Sequence, residues 1–208
     1  METVRLAGFH ALKHALRFGA EIVEASGDRD ELERLAAALA PDVDFAVVAH
    51  VAGAPIVAEA RRPAQQDPLT GAGPVVLLEN PRHLGNLGAC VRVAAAAGAA
   101  GLLTTGTSDP WHPDAIRGAA GLQFALPVRR VDALPSSGRP LVAVDPDGDT
   151  APPPRDAILA FGSERHGLGD ELLARADQRL RIPMRPGVSS LNLATAVAAV
   201  LYTYRPWD

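Results

Sequence analysis

The 208-residue sequence predicts an α/β fold, a parallel sheet covered by helices on both faces, preceded by a small α/β unit. Two observations predict it. From residue 75 onward, short apolar runs alternate with helical patterns, as strands joined by crossover helices do. Ahead of that, residues 61–73 read Arg-Arg-Pro-Ala-Gln-Gln-Asp-Pro-Leu-Thr-Gly-Ala-Gly, polar and rich in Pro and Gly, which is linker composition. The expected division is a unit at 1–66, a linker at 67–73 and a larger unit at 74–208.

Within the first unit, Phe9, Leu12, Ala15 and Leu16 recur at helical spacing, with Gly19 as a stop. Glu21-Ile22-Val23-Glu24 is β-prone. Asp28 or Asp30 can cap a second helix that carries Leu32, Leu35 and Leu39 on one face and ends before Pro41. Phe45-Ala46-Val47-Val48 reads as another strand. In the second unit, apolar runs at 75–79, 102–104, 123–128, 141–144, 158–161 and 180–182 alternate with helices near 86–97, 113–119, 169–176 and 190–204. Ligands of such sheets sit beyond the carboxyl ends of the strands, so residues just after each run are where chemistry belongs.

Composition excludes several classes. With 48% hydrophobic and 21% charged residues the chain is neither disordered nor fibrous. No apolar stretch approaches the ~18 residues of a membrane span, and His10, Lys13, His14 and Arg17 make the N-terminus an amphipathic helix, not a secretory leader. The single cysteine, Cys90, excludes an internal disulfide framework and a Cys-rich zinc module, and fits a reducing cytoplasm. Net charge is −4, with 7 basic against 11 acidic residues before Gly73 and 13 against 13 after it. Nucleic acid is therefore not held by bulk charge, which leaves a local patch. Of the 20 basic residues only Lys13 is lysine. Coding bias is the simplest reading of that ratio, and selection for planar phosphate-binding forks is the alternative.

Three segments carry candidate chemistry. Asn80-Pro81-Arg82-His83-Leu84-Gly85-Asn86-Leu87-Gly88-Ala89-Cys90-Val91-Arg92 leaves a strand and enters a helix. Gly85, Gly88, Arg92 and Ala96 share one face, so the five-donor guanidinium of Arg92 stands among residues with almost no side chain, open to a phosphate. Ala157-Ile158-Leu159-Ala160-Phe161-Gly162-Ser163-Glu164-Arg165-His166-Gly167-Leu168 ends a buried strand at Gly162, where a missing side chain permits close approach of a ligand. Glu164 follows at the carboxyl end. Leu180-Arg181-Ile182-Pro183-Met184-Arg185-Pro186-Gly187-Val188-Ser189-Ser190-Leu191-Asn192 runs from a strand through a loop to the last helix, which Ser189 or Ser190 can cap, with Asn192 in its first turn.

Other features are inert. Ser163 and His166 lack the Gly-x-Ser-x-Gly elbow of a hydrolase. Gly71-Ala72-Gly73 precedes a strand, the wrong order for a dinucleotide fingerprint, and no P-loop is present. His10 and His14 have the spacing of a metal pair but no third ligand, so no metal is expected and a surface or RNA contact is the reading. Trp111 and Trp207 read as packing residues.

Together, the three segments resemble, in order, the three motifs of the SpoU or TrmH-like branch of the SPOUT RNA methyltransferases, over residues 75–204. The opening Gly8-Phe9-His10-Ala11-Leu12 is similar to the start of the ribosomal-protein-like RNA-binding unit that many members carry. The resemblance implies a homodimeric RNA ribose 2′-O-methyltransferase with a C-terminal trefoil knot and S-adenosylmethionine as cofactor. Ribosomal RNA is the preferred substrate; tRNA, or an inactive RNA-binding module of the same fold, is the alternative. By motif position it implies cofactor contacts at Gly162, Ile182, Met184, Ser190 and Leu191, and a reaction centre of Arg92, Asn86, Glu164, Ser190 and Asn192. A guanidinium resists deprotonation, so the expected role of Arg92 is electrostatic: holding the phosphate beside the target ribose and stabilising developing alkoxide charge.

Overall fold

The computed structural model describes residues 2–64, 66–163 and 165–204. Two sheets divide them. The first contains β1 (Thr3–Ala7), β2 (Ile22–Gly27), β3 (Ala49–His50) and β4 (Val57–Arg61) in the order β1-β4-β2-β3, with α1 (Phe9–Arg17) and α2 (Arg29–Leu39) packed on it. β4 runs antiparallel to β1 and β2, and β3 runs parallel to β2. Asp28 caps α2 by accepting the Glu31 N–H at 3.0 Å, and its second oxygen accepts from Gly53 N–H at 2.8 Å. These amides hold its carboxyl below the ordinary carboxylate range.

Two expectations fail here. Phe45-Ala46-Val47-Val48 is a turn, because Asp44 accepts the Ala46 N–H at 2.8 Å and Val48 N–H closes onto the Phe45 carbonyl at 3.0 Å. The strand forms just beyond it as β3, and Phe45 instead stacks on Phe9 with ring centroids 5.3 Å apart. β1 and β4 have no counterpart in the sequence reading. Val4 and Leu6 alternate with exposed residues along β1, and the buried face of β4 is only Ala58 and Ala60.

The second sheet contains β5 (Val75–Leu78), β6 (Gly101–Thr104), β7 (Val128–Arg130), β8 (Leu141–Asp149), β9 (Ile158–Phe161) and β10 (Gln178–Leu180). The order is β10-β8-β9-β5-β6-β7 and every neighbouring pair is parallel. Its helices are α3 (Leu84–Ala97), α4 (Pro113–Ala119), α5 (Asp170–Arg175) and α6 (Leu193–Thr203). Val76, Leu78, Leu159 and Phe161 face α3 and α6, whereas Val75, Leu77, Ile158 and Ala160 face Leu168 and Leu172 on the other side. The run at 123–128 is a short 3-10 turn followed by β7, and β10 begins two residues earlier than its apolar run.

The glycine face of α3 serves packing. A Cβ on Gly88 would stand 2.2 Å from the Ala115 carbonyl oxygen, and one on Gly118 would stand 2.9 Å from that of Gly85. Thus α4 crosses where the sequence suggested room for a nucleic-acid backbone, while Arg92, one turn further along, stays exposed.

The sheets share a core. Trp111 and Ile116 of the second belong to the apolar cluster built from Leu6, Phe9, Leu12 and Ile56 of the first. His14 donates from Nδ1 to the Ala120 carbonyl at 2.7 Å, and Gly121, at φ +78, lets the Ala11 carbonyl approach where a side chain would stand. The Arg62 guanidinium lies 5.5 Å from the Trp111 ring and pairs with Asp109 at 3.7 Å. The connecting stretch is clamped as well: Arg139 donates to the carbonyls of Leu69 at 3.0 Å, Gly73 and Asp156 at 2.7 Å each, and Gly71.

Candidate functional site

A cavity of about 510 Å³ opens beside residues 144–146 of β8, where β9 ends and the chain leaves β10. Phe161, Ile182, Leu191 and Leu193 give it an apolar wall; Asp145, Ser163, Ser189 and Ser190 give it polar groups. Gly162, Ile182, Met184, Ser190 and Leu191, the five residues with an expected cofactor role, all line it. Val144, Asp145 and Pro146 line it too and were missed: Val144 ends the apolar run at 141–144, Asp145 and Pro146 directly follow it, and all three lie within β8.

Gly162 is required for a reason other than ligand approach. A Cβ there would lie 1.9 Å from the Gly167 carbonyl carbon and 2.2 Å from the Leu168 nitrogen. The chain folds back onto it, Ser163 and Gly167 exchanging two backbone hydrogen bonds of 3.0 Å. Glu164 lies outside the described residues.

The final helix is capped by neither serine. Asn192 is its N-cap, with Oδ1 accepting from Ala194 N–H at 3.0 Å and Thr195 N–H at 3.3 Å. Because backbone amides only donate, Oδ1 must face them, and Nδ2 is left to donate to Asn86 Oδ1 at 3.1 Å. This bond ties the third segment to the first. Ahead of Asn86 the Asn80-Pro81 turn is held by two bonds, Asn80 N–H to Thr105 Oγ1 at 3.1 Å and Ser108 Oγ to the Pro81 carbonyl at 2.6 Å. Asn80 itself takes φ +47.

Arg92 lies apart from this cavity. Six residues beyond Asn86 on α3, about 9 Å along the axis, it lines a second cleft with His10 and Arg117. It forms no hydrogen bond or ion pair with any described residue. Among the described residues no group of three or more His, Cys, Asp or Glu could hold a metal ion, and no helix is long and apolar enough to cross a membrane. Cys90 is buried. The arrangement offers a mixed apolar and polar cleft for a nucleoside-like ligand, and an unpaired guanidinium for an anion.

Residues 73–202 match the family model described as the SpoU rRNA Methylase family. A 23S rRNA (uridine(2479)-2'-O)-methyltransferase of Streptomyces viridochromogenes is 34% identical over 148 residues, covering 61% of this chain and 50% of that protein. The crystal structure of the SpoU methyltransferase AviRb from Streptomyces viridochromogenes superposes with a TM-score of 0.80 at 26% identity, over 98% of this chain and 88% of that one. Its complex with the cofactor AdoMet gives 0.77 at 27% identity, over 97% and 88%. The chain spans about half the length of the curated relatives it matches. With three segments joined to one another and a family match over most of its length, the chain belongs to the SpoU rRNA methylase family.

Proposed function

We propose that this chain is an RNA ribose 2′-O-methyltransferase that uses S-adenosylmethionine and acts on ribosomal RNA. The observation that carries the reading is the cleft beside residues 144–146 of β8 and the ends of β9 and β10, whose two kinds of wall match the two kinds of surface on that cofactor. Phe161, Ile182, Leu191 and Leu193 suit the faces of an adenine, and the Asp145 carboxylate and the Ser190 hydroxyl suit ribose hydroxyls and an amino-acid end. When bound, S-adenosylmethionine supplies a methyl group already activated on a sulfonium.

The protein's tasks are then alignment and charge. Asn192 and Asn86, bonded to one another, hold the loop at 182–192 and the start of α3 in fixed relation. Ser190 holds the cofactor side, and Glu164 and Asn192 orient the loop and the hydroxyl. Arg92 grips the phosphate next to the target ribose and stabilises negative charge as the hydroxyl loses its proton. Since Arg92 opens to a separate cleft from the cofactor residues of its own chain, we take the active unit to be a homodimer in which the arginine of one copy serves the cleft of the other. The exposed Leu191 and Tyr202 supply apolar surface for that pairing.

The same reading includes a trefoil knot at the C-terminal end, supported by the way the segment after β10 faces residues 144–146, 161–163, 165 and 167 before α6 packs on α3. It also includes an RNA-binding unit at 1–66 joined through 67–73 to the catalytic unit at 74–208, and a cytoplasmic location. The test is to incubate the protein with methyl-labelled S-adenosylmethionine and total bacterial RNA, separate the RNA by size and map the labelled nucleotide. Label on a ribose of ribosomal RNA is expected. Label on tRNA would move the substrate, and an absence of both label and cofactor affinity would overturn the reading.

A further inference from the structure

Arg92 shares its cleft of about 310 Å³ with the first turn of α1 and with Arg117 of α4. Three features of this cleft call for an anion. The first is charge. His10, Arg92 and Arg117 line the cleft, and Lys13, outside the lining, interacts electrostatically with both His10 and Arg92, in a chain of net charge −4 whose N-terminal part is acidic. Two carboxylates that act on this group are paired, Asp42 with Arg17 at 2.5 Å and Asp114 with Arg117 itself at 3.0 Å. Arg117 is thus partly neutralised by Asp114, whereas Arg92 has no carboxylate partner among the described residues, and a bound anion would offset the repulsion that His10, Lys13 and Arg92 exert on one another.

The second feature is Lys13, the sole lysine, which is 9% exposed and forms no hydrogen bond or ion pair with any described residue. A lysine this well covered by its neighbours and without a partner is uncommon. Burial, then Arg17 and Arg92, hold it below its ordinary value, with Asp42 opposing; burial, then Lys13 and Arg92, do the same to His10. The third is the uncapped start of α1. Its N-cap is Gly8, which has no side chain to offer, its first turn holds no acidic residue, and the amides of Phe9, His10 and Ala11 find no acceptor among the described residues. Donor amides at a helix N-terminus beside an arginine make a phosphate site.

We propose that His10 and Lys13 join Arg92 and Arg117 in one anion cleft that holds a phosphodiester of the RNA substrate, which makes α1 a positioning element of the reaction centre. The proposal rests on the reading of the substrate as RNA. It explains how an acidic N-terminal sheet takes part in binding RNA, through one cationic edge held against the catalytic residues by the bond from His14 to Ala120.

The test uses the full chain, an unmodified 23S rRNA transcript and a tRNA pool. Filter binding across a potassium chloride series compares the wild type with His10→Ala, Lys13→Met and the double variant; methionine keeps the buried stem of Lys13. The double variant should bind RNA about 10-fold more weakly, with a log–log salt slope shallower by about 1. Its KM for RNA should rise more than kcat falls, while calorimetric affinity for S-adenosylmethionine and the melting temperature stay at wild-type values. Inorganic phosphate at matched ionic strength should compete more weakly than RNA; equal competition would overturn the assignment to an RNA strand. Unchanged affinity and slope in the double variant would overturn the cleft, as would a wild type that binds neither RNA. If the wild type binds RNA and transfers no methyl group, the activity reading fails and the slope comparison still decides the cleft.

Discussion

Replacing Asn192 separates two tasks that one side chain performs. Its oxygen caps α6 through Ala194 and Thr195, and its nitrogen reaches Asn86 at 3.1 Å. Alanine removes both. Loss of an N-cap costs about 1 kcal/mol, and loss of a solvent-exposed neutral hydrogen bond about 0.5–1 kcal/mol. The sum, about 1.5–2 kcal/mol, lowers Tm by roughly 3–8 °C for a chain of this size. Serine keeps a cap oxygen but is too short to reach Asn86, so Asn192→Ser should lose only about 1–4 °C. Methyl transfer tells the two tasks apart in the other direction. Both variants break the tie between the third segment and α3, so both should lose transfer by about 10-fold or more through misalignment. The assays are thermal melting and initial rates with labelled cofactor. An Asn192→Ser protein that melts as low as Asn192→Ala, or that transfers methyl at the wild-type rate, would refute the division.

Further outcomes follow from the same geometry. Arg92→Ala should cut turnover by about 100-fold or more while leaving calorimetric affinity for S-adenosylmethionine unchanged, and mixing it with Ile182→Arg chains should restore part of the rate if arginine and cofactor cleft come from opposite copies. Gly88→Ala should cost about 3 kcal/mol in urea unfolding, because the new methyl meets the Ala115 carbonyl 2.2 Å away and α4 must withdraw. Stability should also fall in mild acid. Burial, then the neighbouring charges of Lys13, Arg17 and His10, hold His14 below its ordinary 6.5 despite the opposing bond to Ala120. The unfolded chain therefore takes up more protons as pH drops, and the stabilisation present above 6.5 is lost as pH falls through the lower folded value. His10 adds to the same trend. Urea midpoints at pH 7.5 and 5.5 check this, and an equal or higher midpoint at pH 5.5 would contradict it.

What the sequence disclosed depended on whether a local pattern had a local cause. The central strands were legible because Val75–Leu78 and Ile158–Phe161 are buried on both faces and read as unbroken apolar runs. Helix α4 was legible to the residue, since Pro113 opens it and Ala119 precedes a chain reversal at Ala120 and Gly121. β4 was hidden because alanines form its inward face, and a small side chain signals burial poorly. Asp44 overrode the β-branched pair at Val47 and Val48 through a single side-chain bond. At the site, motif order located the loops that line the cavity, but it did not disclose what its glycines pack against. Gly88 and Gly162 are empty to admit Ala115 and Gly167, partners distant or folded back in ways that spacing alone does not reveal. Arg92 was singled out correctly as an exposed guanidinium, whereas its neighbours His10 and Arg117 come from other helices and became visible only on folding.

Trp111 and Ile116, set into the core of the N-terminal sheet, have a bearing on how such proteins can be recombined. A module hung on a flexible tether can be exchanged freely, but here the guest supplies the socket and the host supplies the plug. Grafting the first sixty or so residues onto a different C-terminal half would leave that socket unfilled unless Trp111 and Ile116 travelled with it. Chimaeras should therefore be cut to keep α4 with α1, and any shift in target choice sought by mutating the seam, not by swapping the piece.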